Sequence, residues 1–406
     1  MKPREIPALV RVARPPAPYG MRRLARCFSI EDLGRLARRR LPLGAWAYLE
    51  GGGEDEYTLR RNRAAFDELE LIPRILNDVS RIDTTTSVLG GPAPLPIVLS
   101  PVGAPRMVHH EGELAVARAA HHAGLPYAIS TLGTVAIEDV AAATDSPLWF
   151  QLYVWGDRGE AKEALARARA AGFRALLLSV DTTVRSKRER ELQAGLSLPT
   201  PQLRLRTLLD GALHPSWAWH FLTSDAISFP NIGPPGAVSR AKVEEMFDGT
   251  VRWEDLDWIR DAWDGPIALK GVLRADEARR AADEGLDAVI VSNHGGRQLD
   301  HVPATIEVLP EIVDAVDDRL EVLLDSGIRR GSDIVAALAL GARAVLIGRA
   351  HLYGLAAAGE AGVRHAIDIL ARELRMTMAL SGARRIADLD SSLIRTRGVP
   401  APAQGV

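Results

Sequence analysis

The sequence predicts a closed parallel (β/α)8 TIM barrel with an N-terminal helical extension and one long insertion. From residue 95 onward, eight short apolar runs alternate with segments rich in Ala, Glu and Arg that have helical periodicity. The runs are almost continuously apolar, as in parallel sheets that are covered on both faces. A doubly wound open sheet is the alternative, but eight evenly spaced units favour closure.

Each apolar run fits a buried strand, and the helical segments between the runs often end in glycine, a common C-terminal signal. The predicted strands are PIVLS (96–100), PYAIS (126–130), LWFQL (148–152), RALLLSV (174–180), PIALK (266–270), DAVIVS (287–292), EVLLD (321–325) and AVLIG (344–348).

All 406 residues are expected to form a single domain. Its predicted parts are a basic leader (1–28), a helical segment (30–94), the barrel (95–385) and a flexible tail (396–406). About 85 residues separate the fourth and fifth strands, too many for a plain connection. This insertion (185–250) is interpreted as an active-site lid or an interaction surface.

The composition is that of a soluble globular protein, with 47% hydrophobic and 25% charged residues and a formal net charge of −2. That charge gives no reason to expect nucleic acid as a partner. The single cysteine, Cys27, cannot form an intrachain disulfide and fits a reducing compartment. Because neither a signal peptide nor a spanning helix is visible, we expect a cytoplasmic protein.

Two segments suggest contact with the cytoplasmic face of a membrane. Residues 1–40 hold eleven Lys and Arg against three acids, and such an arm can contact anionic lipid. The insertion interleaves Arg204 and Arg206 with residues suited to a bilayer interface. These residues are Leu203, Leu205, Leu208, Leu209, Trp217, Trp219, Phe221 and Leu222. A solvated leader and a buried lid are the alternatives.

Polar groups stand at the C-terminal ends of nearly all the predicted strands. In a barrel of this kind the active site forms where those ends meet the following loops. In strand order the groups are Pro101 and Gly103, Ser130, Gln151 and Tyr153, Asp181, Lys270, Ser292 to His294, Asp325, and Gly348 with Arg349. This one-sided distribution predicts that they share one site.

The stretch SNHGGRQLD, directly after the sixth strand, predicts proton transfer on a small organic acid. His294 is suited to moving protons near neutral pH, and Arg297 to holding a carboxylate. Asp181 would stabilise the imidazolium. Lys270 ends an apolar strand, where its charge is costly without a partner, and an anionic cofactor would be such a partner.

Two glycine-rich turns, DSGIRRGSD (325–333) and IGRA (347–350), follow strands seven and eight. Barrels often bind phosphate there, and Arg329 and Arg349 would add charge. No GxGxxG follows an early strand, so a dinucleotide site has no support. Histidine pairs stand at 109–110 and 121–122. Neither pair has acidic or cysteine residues on a common face that could complete a metal site. We therefore predict no metal site.

Over residues 30–395 the sequence resembles the FMN-dependent α-hydroxy-acid oxidase and dehydrogenase family. SNHGGRQLD is the most specific motif, with FQLYVWGDR, LKGV, LDSGIRRG and ALGARAVLIGRA at the expected intervals. Within the family it is most similar to the quinone-linked bacterial L-lactate dehydrogenases, through GGGEDEYTLRRN, HPSWAW, WIRDAWDGP and GRAHLYGLA. The resemblance implies bound FMN and oxidation of a small L-2-hydroxy acid, L-lactate preferred, to the 2-oxo acid.

The resemblance also implies a role for each matching residue. His294 would take the hydroxyl proton, Asp181 would steady the imidazolium, and Tyr153 would bond the hydroxyl. Lys270 would stabilise negative charge on the reduced flavin. The carboxylate would be held by Arg297, Tyr48 and Arg188. The flavin would contact Pro101, Val102, Gly103, Ser130, Gln151, Ser179, Ser292, Asp325 and Gly327, and its phosphate would contact Arg329, Gly348 and Arg349.

Two positions depart from the usual family pattern. Family members usually have a proline and a glycine between Asp181 and the second carboxylate arginine, whereas here the run is TTVRSKRER. Gly103 stands where many of the oxidases carry alanine; glycine there occurs in lactate monooxygenases and quinone-linked dehydrogenases. We expect quinone as electron acceptor. The alternatives are a soluble oxidase or monooxygenase that uses oxygen, and a non-catalytic flavin-binding barrel. The resemblance also implies a homo-oligomer, a tetramer.

Overall fold

The computed structural model describes residues 23–195, 205–232 and 247–397. Its centre is a closed barrel of eight parallel strands, in which each strand pairs with the next and the last closes on the first. The strands are β1 (Ile97–Leu99), β2 (Tyr127–Ser130), β3 (Leu148–Tyr153), β4 (Ala175–Ser179), β5 (Ile267–Val272), β6 (Ala288–Val291), β7 (Glu321–Leu324) and β8 (Ala344–Ile347). Each overlaps a predicted strand, so the predicted barrel is confirmed.

Alternate residues of these strands fill the inside of the barrel. Trp149, Leu177 and Ile290 belong to a buried cluster that also contains several alanines. Side chains alternate across a strand, so the intervening residues face the surrounding helices and join the larger outer core. Both faces of the strands are therefore buried, which explains why the predicted runs are almost continuously apolar.

After each strand, a helix packs on the outside of the barrel before the next strand begins, and the connection after β4 holds additional helices. In chain order these helices are Gly112–Ala123, Ile137–Ala142, Arg158–Ala170, Asp255–Ala262, Ala275–Asp283, Thr305–Val316, Gly331–Ala339 and Arg349–Leu380. The loops that lead from strand to helix lie at the C-terminal ends of the strands, which is where the predicted site residues stand.

The segment before the barrel is only partly helical. Its helices are Ile30–Arg40, Leu43–Glu50 and Tyr57–Asp67, and short strands follow at Leu69–Leu71, Thr86–Val88 and Gly91–Ala93. The prediction of a helical segment over 30–94 is therefore wrong beyond Asp67. The reason lies in Pro73, in the threonine run 84–86 and in the turn at Gly90, which has a positive φ of 71°.

The predicted basic leader (1–28) and the predicted flexible tail (396–406) lie mostly outside the described residues. Within the leader, residues 23–28 are described, and Leu24 and Cys27 are buried against the core. At the other end Thr396 still belongs to a strand, Ile394–Thr396, which pairs with Leu69–Leu71.

The described residues of the insertion form three helices, Glu189–Gln193, Leu205–Ala212 and Pro215–Thr223. Trp217 anchors the third helix, because its indole Nε1 donates to the carbonyl of Met107 at 2.9 Å. Trp219 and Leu222, on the same helix, are exposed. Leu203 and Arg204 lie outside the described residues. None of the helices in the described ranges is long and apolar enough to span a bilayer.

The last helix, Arg349–Leu380, bends at Ala358 and Gly359, whose backbone angles are not helical. The bend brings the two halves into contact through glycines: a Cβ on Gly354 would lie 2.3 Å from the carbonyl oxygen of Gly362. A side chain at Gly354 therefore cannot fit without moving backbone.

We expect Gly354→Ala to lower the free energy of unfolding by about 3 kcal/mol, since overpacking typically costs about 1–3 kcal/mol and here the obstacle is backbone. Urea denaturation followed by circular dichroism measures it. Gly156→Ala is the control, because nothing lies within 4 Å of its added Cβ. Equal unfolding free energies for the two variants would show that the halves of the helix separate without cost.

Candidate active site

The C-terminal ends of the strands open into a cavity with about 1290 Å³ of empty space, solvent at its mouth included. Most of the predicted site residues line it. They are Tyr48, Pro101, Val102, Gly103, Gln151, Tyr153, Ser179, Arg188, Lys270, His294, Arg297, Asp325, Gly327, Arg329, Gly348 and Arg349. These residues therefore share one cavity, as the one-sided distribution of polar groups at the strand ends predicts.

Three further predicted residues stand behind the cavity wall and bond to residues that line it. Asp181 contacts His294, and Ser130 donates to Oε1 of Gln151 at 2.8 Å. Ser292 accepts a hydrogen bond from Lys270 Nζ at 2.9 Å and another from the backbone N–H of His294 at 3.1 Å. These residues can orient the lining side chains.

A strained turn after β6 presents His294. Its φ is +58°, and Gly295 and Gly296 follow at +68° and +71°. A Cβ on Gly296 would lie 2.5 Å from the backbone nitrogen of Leu59, so the turn has no room for a side chain there. The two glycines of the motif thus let the chain reverse directly behind the histidine.

His294 bridges a carboxylate and a phenol. Its Nδ1 lies 3.1 and 3.2 Å from the two carboxylate oxygens of Asp181, and its Nε2 lies 3.3 Å from the hydroxyl of Tyr153. Burial alone would raise the pKa of Asp181, but the charge and hydrogen bond of His294, with the charge of Lys270, lower it. The resulting carboxylate favours a proton on Nδ1 and leaves Nε2 to exchange protons in the cavity.

Two arginines on the same side of the cavity share a buried carboxylate. Arg297 donates to Glu191 Oε1 at 2.9 Å, and Nη1 of Arg188 lies 3.7 Å from that oxygen. Glu191 is only 2% exposed. Arg297 also donates to the carbonyls of Tyr48 and Gly51, each at 2.7 Å. Burial and the like charge of Arg297 lower the pKa of Arg188 to about 10.

Lys270 is paired within the protein. Its Nζ lies 2.8 Å from Asp325 Oδ2, and both side chains are almost fully buried. Burial opposes the charge, but Asp325 and Asp181 outweigh it and raise the pKa of Lys270. The predicted partner for the charge of Lys270 is an anionic cofactor. In the structure the carboxylate of Asp325 already offsets that charge.

The polar groups beside Lys270 fit an isoalloxazine ring. The hydroxyl of Ser130 donates a hydrogen bond to Oε1 of Gln151. The other end of the same amide, Nε2, is buried and has no hydrogen-bond partner among the described residues. A buried amide of this kind calls for an acceptor, which the ring nitrogens and carbonyls of FMN supply. Ser179, paired with Lys270 in the barrel register, lines the same region.

The predicted phosphate end contains both arginines. The guanidinium of Arg329 lies 5.3 Å from the ring centre of Tyr353 and donates to the carbonyl of Ile328. Arg349 donates to the carbonyls of Leu49, Gly51 and Gly295 at 2.8–3.1 Å. Burial, with the like charge of Arg297, lowers the pKa of Arg349 to about 10. A phosphate contact from Arg349 remains a prediction.

The cavity is also lined by residues that were not among the predicted site residues. Thr182 and Arg185 follow β4, Leu132 follows β2, and Phe247 ends the insertion. Leu132 and Phe247 have no distinctive pattern in the sequence. Arg185 had a signal, because it lies within TTVRSKRER, the stretch that departs from the family pattern.

His109 and His110 have an acidic neighbour, contrary to the prediction that no acidic ligand lies near them. Glu111 is an acidic neighbour, and one ligand atom from each of the three residues lies within 4.8 Å of the others. Glu111 already forms an ion pair with Arg118.

Comparison with known proteins gives one family throughout. The model of the FMN-dependent dehydrogenase family matches residues 37–396. A putative L-lactate dehydrogenase of Mycobacterium tuberculosis is 43% identical, over 95% of this chain and 93% of its own length. An L-lactate dehydrogenase of Caulobacter vibrioides is 44% identical, over 91% and 98% respectively.

Solved structures agree. The structure of a monotopic membrane protein, (S)-mandelate dehydrogenase, superimposes with a TM-score of 0.86 at 40% identity and covers 92% of this chain and 100% of its own. A mandelate oxidase has a TM-score of 0.78 at 38% identity, over 91% and 99%. The chain therefore belongs to the FMN-dependent dehydrogenases, flavoprotein oxidoreductases that carry FMN and oxidise α-hydroxy acids.

Proposed function

We propose that this enzyme oxidises small L-2-hydroxy acids, L-lactate preferred, to the 2-oxo acids and passes the electrons to quinone. The arrangement of His294 carries the proposal: it joins Asp181 to Tyr153 in a cavity that also holds Arg188 and Arg297. The geometry supports a base and a carboxylate-binding pair acting on one small molecule.

In the proposed reaction the substrate loses two electrons, its α-hydrogen and its hydroxyl proton. Arg297 and Arg188 hold the carboxylate, and the hydroxyl lies within hydrogen-bond reach of Tyr153 and His294. Nε2 of His294 takes the hydroxyl proton as the carbonyl forms, and Asp181 stabilises the imidazolium. FMN, when bound, would supply the acceptor for the α-hydrogen and both electrons.

Lys270 stabilises the negative charge that arrives with those electrons. Its pairing with Asp325 fixes the ammonium at the strand end before any substrate binds, so little reorganisation accompanies reduction.

The names of the sequence relatives support L-lactate as substrate, because they are L-lactate dehydrogenases at 43–44% identity over nearly the whole chain. The names of the structural neighbours favour mandelate as the second candidate. The two acids differ only in the group on the α-carbon, and both need the same base and carboxylate pair.

His294→Gln should slow anaerobic bleaching of the flavin by L-lactate at least 1000-fold, on the order of the effect of removing a catalytic base, while FMN stays bound. Stopped-flow absorbance measures the rate, and the visible spectrum measures bound flavin. His301→Gln, an exposed histidine seven residues further on, is the control and should keep the wild-type rate. Wild-type bleaching in the His294 variant would refute the assignment of the base.

For the electron acceptor, the likeness to quinone-linked enzymes supports quinone, whereas the glycine at position 103 is compatible with both quinone and oxygen. Lactate-reduced enzyme should be reoxidised by a short-chain quinone at least 100-fold faster than by air-saturated buffer. This margin is an order-of-magnitude expectation for a site that discriminates by transition-state binding. Double-mixing stopped-flow compares the two acceptors directly. Fast oxygen turnover with negligible quinone turnover would identify an oxidase and leave the hydroxy-acid chemistry intact.

The insertion supports peripheral attachment to the membrane that contains the quinone. Among its described residues, the exposed large apolar side chains are Leu192, Leu209, Leu213, Trp219, Phe221 and Leu222. Exposed apolar groups of this kind partition into a bilayer interface, and the (S)-mandelate dehydrogenase of similar fold is a monotopic membrane protein. We propose the cytoplasmic face of the inner membrane as the location.

Replacing Leu213, Trp219 and Leu222 together by serine should move the holoenzyme from the vesicle pellet to the supernatant in sedimentation with anionic phospholipid vesicles. The control replaces Ile75 and Leu76 by serine; these residues are 78% and 100% exposed but lie before the barrel. If both variants sediment like wild type, the insertion does not bind the membrane.

A further inference from the structure

The loop after β4 brings a third arginine to the substrate side of the cavity. Arg185 lines the cavity together with Arg188 and Arg297. It stands inside TTVRSKRER, where the sequence lacks the usual proline and glycine of the family. The departure from the pattern therefore coincides with an additional guanidinium at the site.

The charge of Arg185 acts on the carboxylate-binding groups. It helps to lower the pKa of Arg188, after burial and Arg297, and it opposes the rise that burial causes in the pKa of Tyr48. Both residues are placed to contact the substrate, so the positive potential of Arg185 extends over the space where the substrate lies.

The other arginines of the cavity have separate tasks. Arg188 and Arg297 share Glu191 and together suit one carboxylate, and Arg329 and Arg349 stand at the predicted phosphate end. A monocarboxylate such as lactate has only a methyl group to offer at its other end. A further arginine in the same cavity suits a second anionic group on the substrate, which a guanidinium can bind with two parallel hydrogen bonds.

We infer that Arg185 is a specificity residue that allows the site to accept L-2-hydroxy acids with a second carboxylate on the side chain, beside L-lactate. The inference rests on the proposed function. The reaction is unchanged: the hydroxyl proton goes to His294, the α-hydrogen and two electrons go to FMN, and a 2-oxo diacid leaves. Arg185 acts only on binding.

The test compares anaerobic flavin reduction in the holoenzyme by L-lactate, L-malate and L-2-hydroxyglutarate. In wild type at least one diacid should reduce the flavin with a second-order rate constant within tenfold of that for L-lactate. Arg185→Met should lower the ratio of diacid to lactate rate constants about 10- to 100-fold, the range for losing a hydrogen bond to a charged group. The control is Lys187→Met, on the same loop, whose Nζ pairs with Glu189 at 2.7 Å. It should change the ratio less than threefold.

Three results would overturn the inference. If lactate bleaches the wild-type flavin and neither diacid does, the proposed function stands and the role of Arg185 is wrong. If the Arg185 and Lys187 variants lower the ratio equally, the effect is one of overall charge and not of position. If no hydroxy acid bleaches the flavin, the proposed function fails and the inference fails with it.

Discussion

The site depends on pairing basic side chains at the strand ends with carboxylates. Lys270 lies against Asp325, His294 against Asp181, and Arg297 against Glu191. A charge left alone in the protein interior costs several kcal/mol, so Lys270 and Arg297 need these partners if their charged groups are to stay at the site. Asp181 is in place to stabilise the imidazolium once His294 takes a proton. The substrate and the flavin then meet basic groups whose positions are already fixed.

The pairs also connect distant parts of the chain to one edge of the barrel. Asp181 and His294 come from the loops after β4 and β6, and Asp325 follows β7 opposite Lys270 of β5. Because parallel strands place all their C-terminal ends on one rim, residues separated by more than a hundred positions become neighbours without any long excursion of the chain. The barrel thus fixes the distances on which proton transfer depends.

The sequence was sufficient for the barrel and for the residues that stand at strand ends, because buried parallel strands have an apolar pattern and the groups that end them are polar. The sequence was insufficient where the residue that pairs with a site residue comes from an irregular segment. Glu191 lies in a five-residue helix of the insertion, and nothing in its local pattern indicates that it will be buried beside Arg297. The short strands over 69–93 escaped prediction for a similar reason, since three-residue strands carry too little periodicity to be distinguished from a loop.

The contrast between regular strands and irregular segments also separates the residues of the chemical step from those proposed to set substrate specificity. The proton-transfer groups stand on strand ends and on the turn after β6, which the barrel holds rigidly, so the reaction class follows from the motifs. Arg185, the proposed specificity residue, and Phe247, another residue that lines the cavity, lie near the two ends of the insertion. The exposed apolar helix of that insertion lies between them in the chain. Under the two proposals, a change in this one segment would alter both substrate choice and membrane contact and would leave the base, its carboxylate and the predicted flavin contacts in place. Insertions in barrel loops allow such variation because they add no strand and disturb no barrel register.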